Sequence, residues 1–206
     1  MNPGNDGFDK KGNPVIIGDD GKEKPGKGLS LRDQEKKQNI VFDASTPIDQ
    51  QWFDYYYGYH TESGGTASCN TISLLNLYAA STNGGLDMNT LSAILTAASE
   101  SIYADGSPRS FEKISILAAR FLGRDSYYNY VYKNGDMITM SERQFQQSGY
   151  RAGIVRLKNP NKVDPHFVSE LLTPAPMIFD SFDPNRPEAS GYTSSIIRPL
   201  QLLPAW

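Results

Sequence analysis

The spacing of the apolar residues changes once along the chain, at Gly123. Before Gly123 they recur roughly every three to four positions, as in amphipathic helices, and after it they alternate or form short runs, as in strands. Helices followed by antiparallel strands are typical of α+β folds, in which the helices pack on the sheet. The sequence therefore predicts an α+β fold with a helical N-terminal part and a C-terminal antiparallel sheet.

Three helices are predicted before Gly123. The first begins at Cys69 and is apolar around most of its circumference, which indicates a buried helix. The second covers about residues 88–103 after the N-cap Asp87, and the third covers about 108–122 with Pro108 in its first turn. The buried face of the third helix is predicted to hold Phe111, Ile114, Leu117, Ala118 and Phe121. The aromatic residues of segment 52–59 are interpreted as strand and core residues.

The strands are predicted after Gly123. Residues 127–132 and 137–140 form a hairpin around the turn Asn134-Gly135, and Ser141 with Gln144 forms the capping box of a short helix. Four more strands are predicted at residues 152–157, 166–171, 177–182 and 193–197.

Residues 1–39 differ in composition from the rest. They are rich in Gly, Lys, Asp, Asn and Pro, and their apolar cluster is Val15-Ile16-Ile17. Such a segment buries too little surface to offset the entropy cost of ordering it. We therefore predict a flexible linker or tail over 1–39, with one short strand at 14–17, and a folded domain over 40–206.

Charge and composition bear on partners and cofactors. The net charge is −3 with both signs interspersed, so no nucleic-acid partner is predicted. No apolar run approaches the roughly 18 residues of a membrane span, so no membrane insertion is predicted. The single cysteine excludes an intrachain disulfide, and two histidines leave little material for a metal site. No metal or organic cofactor is predicted.

Cys69 is the candidate nucleophile. It follows the glycine-containing segment 63–68 and begins the predicted buried helix. The partial positive charge of a helix N-terminus favours a thiolate over a thiol. The free N–H groups of the first turn can also bind the oxyanion of a tetrahedral intermediate.

His166 is the candidate general base, at the start of a predicted strand. An imidazole there can face a thiolate on a neighbouring helix, pair with it as imidazolium and later protonate a leaving amine. Asp180 and Asp183 follow on the next strand, and the predicted hairpin returns both to the neighbourhood of His166. Asp180 is favoured as the group that orients the imidazole, with Asp183 as the alternative.

Each of these residues also has a structural interpretation. A single Cys at a helix start is more often a small buried hydrophobe, and Asp beside Pro or Ser is most often a turn former. A single His at a strand start is usually structural, and His60 is interpreted as an exposed loop residue. The combination in one chain order favours the catalytic interpretation.

That combination resembles the papain-like cysteine peptidases, and most closely the branch of bacteriocin-processing and related bacterial peptidases. The branch shows C-G-P-[ST]-[SA]-L at the start of its helix, where this chain has residues 69–75. It also shows H-[FWY]-V, found here at 166–168, and a strand that ends in D or D-P, found here at 177–184. The resemblance covers roughly residues 60–200.

The resemblance implies a papain-like fold and hydrolysis of amide bonds in proteins or peptides through a thioester. It also implies a bacterial secreted or cell-surface setting, as part of a longer precursor. Asn70-Thr71 replaces the Gly-Pro of the family, and Ser63 and Gly64 stand where the oxyanion-hole Gln is expected. Two alternatives remain open: an inactive papain-like module that binds protein or peptide, and a Cys-His-Asp amidase or acyltransferase. The oligomeric state is not predicted.

Overall fold

The computed structural model describes residues 7–8, 14–17, 23–25, 40–59, 67–158, 166–172, 177–179 and 194–205. These ranges form helices and antiparallel strands, which confirms the predicted α+β class. None of the described helices combines the length and the apolarity that crossing a bilayer requires.

The helices of the described ranges alternate with short turns and differ in burial. They are α1 (Gln50–Tyr57), α2 (Cys69–Ser81), α3 (Met88–Ala97), α4 (Phe111–Phe121) and α5 (Glu142–Gln147), with a 3-10 turn at Ser99–Ser101. The strands are β1 (Gly7–Phe8), β2 (Pro14–Ile17), β3 (Glu23–Pro25), β4 (Val41–Phe42), β5 (Leu86–Asp87), β6 (Ser126–Tyr130), β7 (Tyr132–Lys133), β8 (Asp136–Met137), β9 (Ala152–Lys158), β10 (His166–Leu171), β11 (Met177–Phe179) and β12 (Ser194–Pro204).

The principal sheet has five strands in the order β11-β10-β9-β12-β6. Strand β12 pairs with β9 on one side and with β6 on the other, so the last described strand lies in the interior of the sheet and not at its edge. It runs to Pro204, well beyond the predicted end at Ile197. The prolines interrupt the apolar pattern, yet the Pro199 carbonyl still accepts a hydrogen bond from the Val131 N–H at 3.2 Å.

Helix α2 is buried, as its sequence predicts. Ile72, Leu74, Leu75, Leu77 and Tyr78 are all 0% exposed. The Tyr78 hydroxyl donates to the Ser115 carbonyl at 2.9 Å and accepts from the Tyr128 N–H at 3.1 Å. One buried hydroxyl therefore joins α2 to both α4 and β6.

The strand interpretation of segment 52–59 is wrong, because most of it forms helix α1. The Asp49 carboxylate accepts a hydrogen bond from the Trp52 N–H at 2.7 Å and caps the helix, and Gly58 ends it with φ of 72°. The prediction that these aromatic residues pack in the core is confirmed for Trp52 and Phe53, which are 2% and 0% exposed.

Two predicted helix boundaries need correction. Helix α3 begins after the predicted N-cap Asp87 but ends at Ala97, because the chain continues as the 3-10 turn. Helix α4 begins at Phe111 with Ser110 as its N-cap, so Pro108 lies outside it. Phe121 is 47% exposed and does not belong to the buried face of α4.

The turn and cap chemistry of the C-terminal half is confirmed. The side chains and backbone of Ser141 and Gln144 form the capping box of α5. Asn134 and Gly135 both have positive φ, of 54° and 88°, and join β7 to β8. The predicted pairing of 127–132 with 137–140 is wrong beyond this short hairpin, because β6 pairs with β12 instead and Met140 bridges to Ile197.

In the N-terminal segment, β1, β2 and β3 form a three-stranded antiparallel sheet. The short strand predicted at 14–17 is present as β2. The boundary near residue 40 and the role of residues 1–39 as a linker or tail stay predictions.

Candidate active site

Cys69 is the first residue of α2 and is 7% exposed. One turn later, the Ser73 hydroxyl donates to the Cys69 carbonyl at 2.6 Å and to the Phe167 carbonyl at 3.1 Å. The second of these hydrogen bonds fastens the start of α2 to β10.

The Cys69 sulfur also meets β10 at Phe167, whose backbone N–H hydrogen-bonds it and lowers its pKa. Both polar backbone groups of Phe167 therefore contact α2. Such groups ordinarily point in the plane of a sheet toward a neighbouring strand. In the described residues β11 pairs with β10 from Ser169 to Leu171, and the α2 residue Ser73 donates to the carbonyl of Phe167. The structure thus brings Cys69 to the strand position beside His166.

The environment of the thiol favours its neutral form. Burial raises the pKa of Cys69 to about 11, against the opposing effect of the Phe167 and Asn70 N–H groups, and the Asp54 carboxylate raises it further. The partial positive charge of the helix N-terminus alone would lower the pKa of Cys69. Burial outweighs this expected stabilisation of the thiolate. A cation beside the sulfur would be needed to form a thiolate near neutral pH.

His166 begins β10, as predicted, and is 3% exposed. It pairs with Leu157 across the sheet. Because side chains alternate along a strand, the imidazole starts on the face that holds Val168, while Phe167 lies on the face covered by α2.

The two candidate orienting groups lie outside the described residues. The predicted hairpin is present, since β11 pairs antiparallel with β10 and Ser169 is opposite Phe179. The description of β11 ends at Phe179, one residue before Asp180. The roles of Asp180 and Asp183 stay predictions, and His60 is also outside the described residues.

Helix α1 contributes two buried polar residues that the sequence interpretation missed. Gln50 and Asp54 lie one helical turn apart and are 2% and 7% exposed. Asp54 acts on the thiol of Cys69, and together with burial it raises the pKa of Tyr59 to about 12. The available signal was two polar residues four positions apart in an aromatic segment, which indicates one face of a helix.

A second missed group is the cluster of Arg198, Phe167, Tyr130 and Asn70. The Arg198 guanidinium carbon lies 5.3 Å from the centre of the Phe167 ring and 5.9 Å from that of Tyr130. The Tyr130 hydroxyl donates to the Asn70 side-chain oxygen at 3.1 Å. Two members of this cluster, Phe167 and Asn70, are the residues whose N–H groups contact Cys69.

Within the described ranges, no group of three His, Cys, Asp or Glu side chains is placed to hold a metal ion. Comparisons with family models, with curated proteins and with solved structures find no match to the chain. The papain-like resemblance therefore depends on the residues of this chain alone and stays a prediction.

Proposed function

We propose that this chain is a papain-like cysteine peptidase with Cys69 as nucleophile, His166 as general base and Asp180, or alternatively Asp183, as the group that orients His166. The observation that carries the proposal is the hydrogen bond at 3.1 Å that joins Ser73, one turn after Cys69, to the carbonyl of Phe167, the residue after His166; the Phe167 N–H also lowers the pKa of Cys69. A thiol at the start of a buried helix that is attached to a strand beside a histidine supports the proposal, because Cys–His catalysis needs the two side chains within hydrogen-bond reach of each other.

In the proposed reaction, the Cys69 thiol gives its proton to His166 and the thiolate attacks the scissile carbonyl carbon. The backbone N–H of Cys69 donates to the oxyanion that forms. The His166 imidazolium then protonates the leaving amine as the C–N bond breaks, which gives a thioester. A water molecule loses a proton to His166 and attacks the thioester, which releases the acid and restores the thiol.

Burial of the thiol makes the proposed ion pair the essential step. With a pKa raised to about 11, Cys69 alone is almost entirely thiol near neutral pH. An imidazolium against the sulfur lowers the thiol pKa because each charge stabilises the other. The reactivity of Cys69 should therefore depend strongly on His166.

An inactive papain-like module that binds protein or peptide is the second candidate. The low exposure of Cys69 and His166, 7% and 3%, and the raised pKa of the thiol favour it. An amidase or acyltransferase would use the same three side chains and differ in the acceptor of the acyl group.

The deciding experiment measures the rate of Cys69 alkylation by iodoacetamide from about pH 4 to pH 10. Because Cys69 is the only cysteine, Cys69→Ser supplies the blank. We expect a reactive plateau that begins near pH 5–6 in the native chain and is absent in His166→Ala. A single titration of a weakly acidic thiol in both proteins would reject the peptidase and favour the binding module.

A further inference from the structure

We infer that Arg198 binds a carboxylate of the substrate next to Cys69, so that the enzyme acts on peptides with an acidic group beside the scissile bond. This inference rests on the proposed peptidase function and names the substrate class of that site.

Arg198 is linked to Cys69 through each of its two ring partners. Its guanidinium carbon lies 5.3 Å from the centre of the Phe167 ring, and the Phe167 N–H acts on the Cys69 thiol. The same carbon lies 5.9 Å from the centre of the Tyr130 ring, and the Tyr130 hydroxyl donates to Asn70, the residue after Cys69. The cation therefore contacts one neighbour of the candidate nucleophile, Phe167, and lies one side chain away from Asn70.

The chemistry of Arg198 suits a carboxylate ligand. A guanidinium held over aromatic rings keeps its planar set of donors in a fixed orientation, which matches the two oxygens of a carboxylate. Arg198 is half-buried, so its remaining donors are partly removed from water. Within the part of the chain that the structure describes, its contacts are with the two rings, and neither is a carboxylate. An incoming carboxylate would neutralise this charge.

Two alkylating reagents test this without a known substrate. Iodoacetate and iodoacetamide both transfer an alkyl group to the Cys69 sulfur with loss of iodide, but only iodoacetate carries a carboxylate. We expect the ratio of their rates to fall by about tenfold in Arg198→Gln, because a charge-assisted hydrogen bond contributes at least this much. Arg198→Lys keeps the charge without the planar donors and should give an intermediate ratio.

Arg124→Gln is the matched control. Arg124 also lies over two rings, at 5.2 Å from Tyr78 and 5.4 Å from Tyr128, but its ring partners do not contact Cys69. Its rate ratio should equal that of the native chain. An unchanged ratio in Arg198→Gln, or an equal fall in Arg124→Gln, would overturn the assignment. If instead Cys69 reacts with neither reagent below the pKa of an ordinary thiol, the proposed peptidase function itself fails.

Protection experiments distinguish a side-chain carboxylate from a chain terminus. Short peptides with blocked ends and a central Glu, the same peptides with Gln, and the Gln peptides with a free C-terminus compete with iodoacetamide for Cys69. Protection by the Glu peptide alone assigns a side-chain site, and protection by the free C-terminus alone assigns a terminal carboxylate. Equal protection by all three, unchanged in Arg198→Gln, would contradict carboxylate binding.

Discussion

The reactivity of Cys69 is set by groups on three different elements. Burial removes the thiol from water and raises its pKa, while the N–H groups of Phe167 on β10 and Asn70 on α2 oppose this. Asp54 on α1 adds to the effect of burial because a nearby negative charge disfavours the thiolate. The pKa of the thiol is therefore a property of the packing of α1 and β10 against α2.

Replacement of Asp54 by Asn should lower the pKa of Cys69. The substitution keeps the size of the side chain and removes the negative charge, so a larger fraction of Cys69 is thiolate at each pH below the midpoint. The pH midpoint of alkylation by iodoacetamide should shift downward by up to about one unit.

The isosteric change also alters a buried site, so the unfolding midpoint of Asp54→Asn must be measured beside the alkylation profile. Asp87→Asn serves as control, because Asp87 is an exposed N-cap on α3. A midpoint that moves upward or stays in place in folded Asp54→Asn would show that Asp54 does not act on the thiol.

The positions of Cys69 and His166 at the start of their elements could be predicted from the sequence, because local pattern determines where a helix or strand begins. The roles of Asp54 and Arg198 could not. Asp54 is 15 positions before Cys69 and Arg198 is 129 positions after it, and only the packing of α1 and of β12 brings them near.

At the scale of elements, the start of α2 is held by the loop that follows α3. The Thr71 hydroxyl donates to the Gly106 carbonyl at 2.7 Å, and the Ala67 N–H donates to the Asp105 carbonyl at 2.8 Å. A Cβ atom on Gly106 would lie 2.6 Å from the Cβ of Ser68. The close approach of this loop therefore fixes the residue before Cys69.

The change Gly106→Ala should destabilise the protein by about 2–4 kcal/mol. Part of this is the cost of positive φ for a residue with a Cβ, about 1–2 kcal/mol, and the rest is the clash with Ser68. Denaturant unfolding measures the total, and iodoacetamide alkylation should show faster reaction of Cys69 as the helix start shifts.

Gly123→Ala separates the two contributions. Gly123 has φ of 64°, similar to the 83° of Gly106, and an added Cβ meets nothing within 4 Å. Gly123→Ala should therefore lose only the stability that positive φ costs, and the alkylation rate of Cys69 should not change. Equal losses of stability in Gly106→Ala and Gly123→Ala would mean that the contact with Ser68 places no constraint on α2.

Local signals predicted some elements well and failed for others. The strand at 166–171, the capping box at Ser141 and the N-cap at Asp87 follow from short patterns and are confirmed. Helix α1 was interpreted as a strand because aromatic residues favour sheets, although its caps Asp49 and Gly58 mark a helix. The pairing of β12 with β6 joins residues about seventy positions apart, and no local pattern carries that information.

For the whole molecule, a buried carboxyl group on β10 links stability to pH. Glu170 is 4% exposed, and burial, with a smaller contribution from the charge of Glu142 on α5, raises its pKa from 4.5 to about 7. Below about pH 4.5 the group is protonated in both the folded and the unfolded chain. Between pH 4.5 and 7 the unfolded chain releases its proton while the folded protein retains it, so stability falls as pH rises.

The native chain should therefore lose more stability between about pH 5 and pH 8 than Glu170→Gln, which carries the neutral side chain at every pH. The difference should be on the order of 1–2 kcal/mol, which allows for solvent screening of the carboxylate. Urea unfolding at the two pH values measures it, and the contributions of the other groups cancel because both proteins contain them. Glu142→Gln removes the neighbouring charge and should reduce the pH-dependent loss only slightly, because burial is the larger cause. A native chain whose stability falls no more than that of Glu170→Gln would mean that the Glu170 carboxyl is ionised in the folded protein and that burial does not raise its pKa.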